Sequence, residues 1–213
     1  MRLPTACRLA PLALLALGSG CASRTVVPDR PARLDSPAVI DPLLGEKIAS
    51  EAGRYVGESF DGDCSSFVKH VLAEVGVVLP QPARARTGSE SLMLATRPTA
   101  RPRAGDLAFF HNTYDRNRDG RVNDPYSHVA IVERVEGTQL TLIHRGSKGI
   151  ARIRMDVSRP SDRERNSVLR VRRRDDPPGL RYLTGELCAG FGVVVPVEEM
   201  RVVRLSIPAL RLL

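Results

Sequence analysis

The chain has 213 residues, 42% of them hydrophobic and 26% charged, with a formal net charge of +8 and a sequence pI near 9.9. That length holds one ordinary domain plus flanking segments, and the apolar content suffices for a core, which excludes a disordered or fibrous chain. The excess charge suits anionic polymers, but Trp is absent, and Phe60, Phe67, Phe109 and Phe110 sit in apolar runs instead of alternating with Arg, so base-stacking platforms and a nucleic-acid partner are not expected.

Arg2 and Arg8 flank the start of a short apolar run, 9–17, that ends in Gly18-Ser19-Gly20 before Cys21. Positive, apolar and small, in that order, is the layout of a secretory signal, and the run is too short to span a bilayer. With a Cys at the cut, the segment resembles a bacterial lipoprotein signal, which implies removal of 1–20 and a lipid anchor on Cys21; ordinary cleavage would give a secreted protein instead. Residues 21–40 are polar, contain Pro28, Pro31 and Pro37, and read as a tether. With Cys7 in the signal and Cys21 under lipid, the folded part keeps Cys64 and Cys188.

The main domain is expected over 41–174. Pro42 opens a helix running to about Val56, with Leu44, Ile48, Ala52 and Tyr55 at helical spacing. A second helix begins at Cys64 behind Asp63 as N-cap, carries the stripe Phe67, Val68, Val71, Leu72 and Val75, and ends at Gly76. A third covers 88–95. After Pro102 the period changes to that of strands, expected at 106–110, 128–135, 139–144, 149–155 and 168–172, with an Asp/Asn-rich insertion at 111–126. Helices first and strands second argue for an α+β domain on an antiparallel sheet of about five strands. Residues 175–213 are read as a helix over 179–189 and a Val/Leu-rich tail.

Cys64 at a helix start meets unpaired N–H groups and partial positive charge, which favour the thiolate, the nucleophilic form. A thiolate needs a base, and His128 opens one strand while His144 ends the next. A three-residue hairpin loop at Glu136-Gly137-Thr138 would place His144 opposite Ala130, on the face of His128. A two-residue loop would separate the two imidazoles unless a bulge intervened.

The motifs Asp63-Cys64-Ser65-Ser66-Phe67-Val68, Gly76 to Pro80, Gly105-Asp106-Leu107-Ala108-Phe109-Phe110, Ser127-His128-Val129-Ala130-Ile131 and Ile143-His144 resemble the NlpC family of papain-like cell-wall peptidases. The resemblance implies a papain-like fold and a cysteine endopeptidase acting on peptidoglycan stem peptides through an acyl-enzyme. Cys64 would be the nucleophile, His128 the base and His144 the orienting residue, with Tyr55 and Ser65 on the substrate and oxyanion side. The related CHAP amidases and peptidases share the Cys/His pair, and a non-catalytic wall-binding module or an acyltransferase on the same fold are the rival readings. A monomer is expected, with peptidoglycan peptides and the membrane as partners.

Within the insertion, Asp115, Asn117, Asp119, Gly120, Arg121 and Asp124 follow the spacing of a calcium loop, in which side-chain oxygens and one backbone carbonyl surround the ion. The closing Glu of that pattern is missing, and a solvated Asx turn explains the same residues. The chemistry of Cys64 requires no cofactor; calcium would be structural. His70 is expected to be exposed, His111 to lie at the site's edge or merely on the surface, and Cys188 to be core.

Overall fold

The computed structural model describes residues 42–174, 176 and 178–196. The expected signal, the lipidation site Cys21, the tether and the tail beyond 196 lie outside the described residues.

Three helices come first. Helix α1 (Pro42–Arg54) starts on a proline whose missing N–H is unneeded in the first turn, and it buries Ile48, Ala49 and Ala52. Helix α2 (Cys64–Glu74) is capped by Asp63, whose carboxylate accepts the Ser66 N–H at 2.8 Å. Its Phe67, Val68, Val71 and Leu72 are at most 1% exposed, as the apolar stripe requires. Helix α3 (Gly88–Ala95) is capped by Thr87, whose hydroxyl oxygen accepts the Glu90 N–H at 3.0 Å.

Six strands form one antiparallel sheet: β1 (Arg97–Thr99), β2 (Leu107–Phe110), β3 (His128–Glu136), β4 (Gln139–Gly146), β5 (Gly149–Asp156) and β6 (Cys188–Val193), in spatial order β1-β6-β2-β3-β4-β5. The expected α+β arrangement, N-terminal helices followed by an antiparallel sheet, is therefore the one observed, with six strands where about five were expected. One sheet face carries Leu107, Phe109, Val129, Ile131, Ile143 and Ile150 into a core shared with the helices. The other face packs Ala108, Phe110, Ala130, Val132, Leu142, Ile153 and Met155 against Leu187 and its neighbours. Coverage on both faces explains why Leu107–Phe110 is apolar throughout instead of alternating.

The C-terminal third departs from expectation. Residues 168–172 contribute one isolated bridge, Val168 to Leu183, and Val168 and Val171 stay exposed, so their alternation does not mark a strand of the sheet. The helix expected over 179–189 shrinks to one turn, α4 (Thr184–Leu187). The chain then enters the sheet as β6, pairing with both β1 and β2. Tertiary pairing overrides the local helical pattern there, and β1, only three residues long, was too short to signal itself.

Candidate active site

The hairpin of β3 and β4 decides whether the histidines meet. The turn has two residues, with Glu136 opposite Gln139 and Gly137 at φ 63°, a value suited to the first position of a type II′ turn. Two residues alone would send His144 to the wrong face. A bulge between Val132 and Arg134 makes Glu133 the extra residue, and beyond it Ile131 faces Ile143. Continued by one step, that register sets Ala130 opposite His144. The expected three-residue loop is thus replaced by a shorter loop plus a bulge, with the same parity.

His128 and His144 consequently share a face, their rings edge to face at 5.1 Å, with His128 Nε2 and His144 Nδ1 2.9 Å apart. Each is 8% exposed. Burial first, and then the neighbouring His144, lower the pKa of His128 to about 3; burial lowers that of His144 to about 4. Both rings are neutral at pH 7, so their shared hydrogen bond has one donor and one acceptor.

The start of α2 brings Cys64 to this strand end. Its sulfur lies 3.6 Å from the Ser89 hydroxyl of α3 and sits beside the backbone N–H of Val129, one residue beyond His128. Burial pushes the Cys64 thiol up, and the hydrogen bonds from Ser89, Val129 and Ser65 offset that only in part, while Asp63 adds to the rise. Burial thus works against the low-pKa thiolate expected from the helix terminus. Asp63 is itself held below the usual carboxylate range. Its burial works the other way, but hydrogen bonds from Ser66 and Ser65 prevail.

Two assignments to the substrate side find other partners. The Tyr55 hydroxyl is hydrogen-bonded to His70 Nε2 at 2.9 Å, and its ring packs edge-on against Phe67, so its contacts run along the flank of α2. His70, expected to be exposed, is half-buried between Tyr55 and Phe60. Ser65 is 4% exposed and donates its hydroxyl to Asp63 at 2.8 Å, serving the cap. Conversely, Ser89 and Tyr114 were missed. Burial and then the nearness of Cys64 raise the Tyr114 phenol, which places this half-exposed ring from the insertion beside the sulfur. Its only sequence signal is an aromatic residue in the largely polar loop preceding His128, a signal that Tyr126 shares.

The insertion folds as a set of Asx turns. Asp115 accepts the N–H groups of Asp119 and Gly120, Asn117 accepts that of Asp119, and Asp119 accepts that of Arg121 and is bridged by the side chains of Asn117 and Asn123. Asp124 is buried against Arg116 at 3.9 Å, and Arg173 lies 3.6 Å from Asp115. Among the described residues no three His, Cys, Asp or Glu side chains group so as to hold a metal. The donor set expected for calcium, Asp115, Asn117, Asp119, Arg121 and Asp124, does not supply a convergent acidic cluster; Asp115 and Asp119 are engaged with amides, while Asp124 keeps one buried oxygen, Oδ2, without a hydrogen-bond partner. Cys188 is the half-buried first residue of β6, not part of a helix, and is a free thiol like Cys64.

Residues 54–145 match the family model of the CHAP domain, a span that begins ten residues before Cys64 and ends one residue after His144. The motifs had pointed first to NlpC and named CHAP as the related family; the matching model is that of CHAP. No curated protein matches the chain. Among solved structures it is similar to Ly7917, at TM-score 0.38, and to Ly7917 with the hydrolyzing product of MDP, at 0.37, both at 16% identity. Each alignment covers 53% of this chain and 56% of the other, so little more than half of those structures is spanned.

Proposed function

We propose that the chain is a cysteine-type hydrolase of the bacterial cell envelope that cuts amide bonds in the stem peptides of peptidoglycan. One observation carries this reading: a sulfur at a helix start and a hydrogen-bonded pair of neutral imidazoles reach the same end of the sheet, Cys64 through the Val129 N–H and His128 through its bond to His144. The CHAP match spans all three residues and belongs with the same chemistry.

The hydrogen bond fixes the proton inventory. For His128 to act as base towards Cys64, its Nδ1 must carry the lone pair, so its proton sits on Nε2 and is donated to His144 Nδ1. His144 then keeps its own proton on Nε2. This is the orienting role of a third residue, filled by a neutral acceptor in place of a carboxylate. Because burial holds both partners uncharged, proton transfer from Cys64 to His128 accompanies attack on the substrate carbonyl instead of preceding it. N–H groups at the start of α2 face the developing oxyanion. His128 then returns the proton to the departing amine, and water releases the acyl group from sulfur.

The CHAP match supports amidase or peptidase chemistry alike, so the bond cut is either a peptide bond or the amide joining peptide to glycan. Purified peptidoglycan digested by the full chain, with fragments weighed by mass spectrometry, separates the two. The Cys64→Ala variant should lose at least about a thousandfold in turnover without a change in melting temperature. Undiminished turnover would remove Cys64 from the mechanism, and absence of cleavage by the wild-type chain would leave a wall-binding module. The Gly18-Ser19-Gly20-Cys21 pattern further supports membrane anchoring through Cys21. Metabolic labelling with a fatty acid should mark the wild type and not Cys21→Ser; equal labelling would reject that site.

A further inference from the structure

On the sheet face opposite α1, α2 and α3, a cleft of about 380 Å³ opens between the end of β2, the segment preceding α4 and the start of β6. Its lining includes His111, Arg170, Leu180, Arg181, Glu186 and Leu187. None of the three candidate catalytic residues lines it.

Arg170 is the unusual member. It is only 6% exposed, and its Nε has no hydrogen-bond partner. One terminal nitrogen donates to the Asn112 carbonyl. Among the described residues no carboxylate forms an ion pair with it: Asp176 acts on it through space but is hydrogen-bonded to the Tyr182 hydroxyl and the Arg173 N–H. A buried guanidinium with an unused N–H is costly unless something accepts from it.

The surroundings add donors. His111 Nδ1 accepts the Tyr126 N–H at 2.9 Å, so the neutral ring carries its proton on Nε2. Arg181 stands exposed at the rim. The one acid among the described lining residues, Glu186, accepts the N–H groups of Tyr182 and Leu183. The cleft therefore offers two guanidiniums and an imidazole N–H against one committed carboxylate, with Leu180 and Leu187 as apolar wall.

We propose that this cleft binds a substrate carboxylate borne on a short aliphatic stem, with Arg170 as its buried partner and Arg181 at the rim. A guanidinium fork matches a planar carboxylate, and the leucines match the stem. The distance suits one substrate. Cys188, which lines the cleft, pairs with Phe110, and Phe110 pairs with His128. Two strand spacings separate the cleft from His128, about 10 Å. An extended peptide covers that in about three residues. That the carboxylate belongs to the hydrolysed peptide rests on the hydrolase reading; that the cleft takes a carboxylate does not.

The test uses the full chain carrying Cys64→Ala and two synthetic stem-type peptides that differ only in whether an acidic side chain is free or amidated. Calorimetry should show the free acid bound at least tenfold more tightly. Arg170→Gln should reduce that preference to less than threefold, and because a buried arginine can be needed for folding, Arg181→Gln, at an exposed position, should lower it independently. Equal binding of both peptides, or an undiminished preference in Arg181→Gln and in folded Arg170→Gln, would overturn the proposal. So would inorganic phosphate competing as well as the free-acid peptide, since the site would then be a general anion trap. Wild-type hydrolysis is measured alongside: a carboxylate preference without Cys64-dependent cleavage keeps the cleft and removes the hydrolase, and the converse keeps the hydrolase and removes the cleft.

Discussion

A cysteine at a helix N-terminus is usually argued to be a thiolate, and Cys64 illustrates when that argument loses. The helix field acts on any sulfur placed there, but the water that would stabilise the anion is displaced by α3 and β3. What remains is hydrogen bonding from Ser89, Val129 and Ser65. The sequence located the sulfur and the Asp63 cap, because both depend on a few consecutive residues. It was silent on Ser89, which comes from 25 residues away. Ser89→Ala deletes a bond that favours the anion, worth about 0.5–1.5 kcal/mol in typical cases. Alkylation of Cys64 by iodoacetamide at pH 8, in a Cys188→Ser background, should slow by roughly two- to tenfold, and its pH midpoint should move up correspondingly. A midpoint that stays put would reduce Ser89 to packing.

At the scale of elements, the site depends on counting along one hairpin. Seven residues run from Ala130 to Glu136, which faces Gln139, and the strand returning from Gln139 to His144 offers six, so one residue of β3 must be left unpaired for Ala130 to face His144. Glu133 takes that place and is held by Arg152 of β5 at 2.7 Å. Both histidines and both strands were legible from alternation and from the Gly137 turn, whereas loop length and bulge were not: each alternative satisfied the same pattern, and only the burial of Leu140 and Leu142 on the face of His128 separates them. If the bulge serves parity alone, deleting Glu133 leaves every observed pair intact, and with them the register that sets Ala130 opposite His144. The deletion variant should then retain activity to within about tenfold, at some cost in stability from the lost ion pair with Arg152. A folded but inactive deletion variant would mean that the bend introduced by the bulge aims His128. Helix packing supplies a second test. A Cβ on Gly88 would lie 1.9 Å from the Ser65 hydroxyl, so α3 can approach the first turn of α2 only through a glycine. Gly88→Ala should push α3 outward, carry Ser89 away from the sulfur, and lower both thiol reactivity and melting temperature; an unchanged melting temperature would show that the two helices can part without cost.

Across the whole molecule, charge burial sets a pH dependence that the sequence could not announce, since a histidine in a strand reads alike whether it ends in water or under a sheet. The unfolded chain binds protons on His128 and His144 near pH 6.5, while the folded chain refuses them until about 3 and 4. Depressed histidines cost nothing above pH 6.5 and subtract stability as pH falls below it, by up to about 1.4 kcal/mol per pH unit for each ring. His111, also lowered by burial, acts in the same direction. Asp106 opposes them: burial raises it to about 6, so the folded state takes its proton before the unfolded state does and gains stability as pH falls through that value. Two deeply buried rings outweigh one carboxyl that retains part of its hydration, and the net slope is a loss. Urea unfolding of the wild type at pH 7, 6 and 5 should show stability falling at each step. In a His128→Gln, His144→Gln double variant the fall should shrink or reverse, because Asp106 is then opposed by His111 alone. Wild-type stability that is flat from pH 7 to 5 would mean that the imidazoles accept protons in the folded chain, and the neutral pair on which the base chemistry of His128 depends would be lost with it.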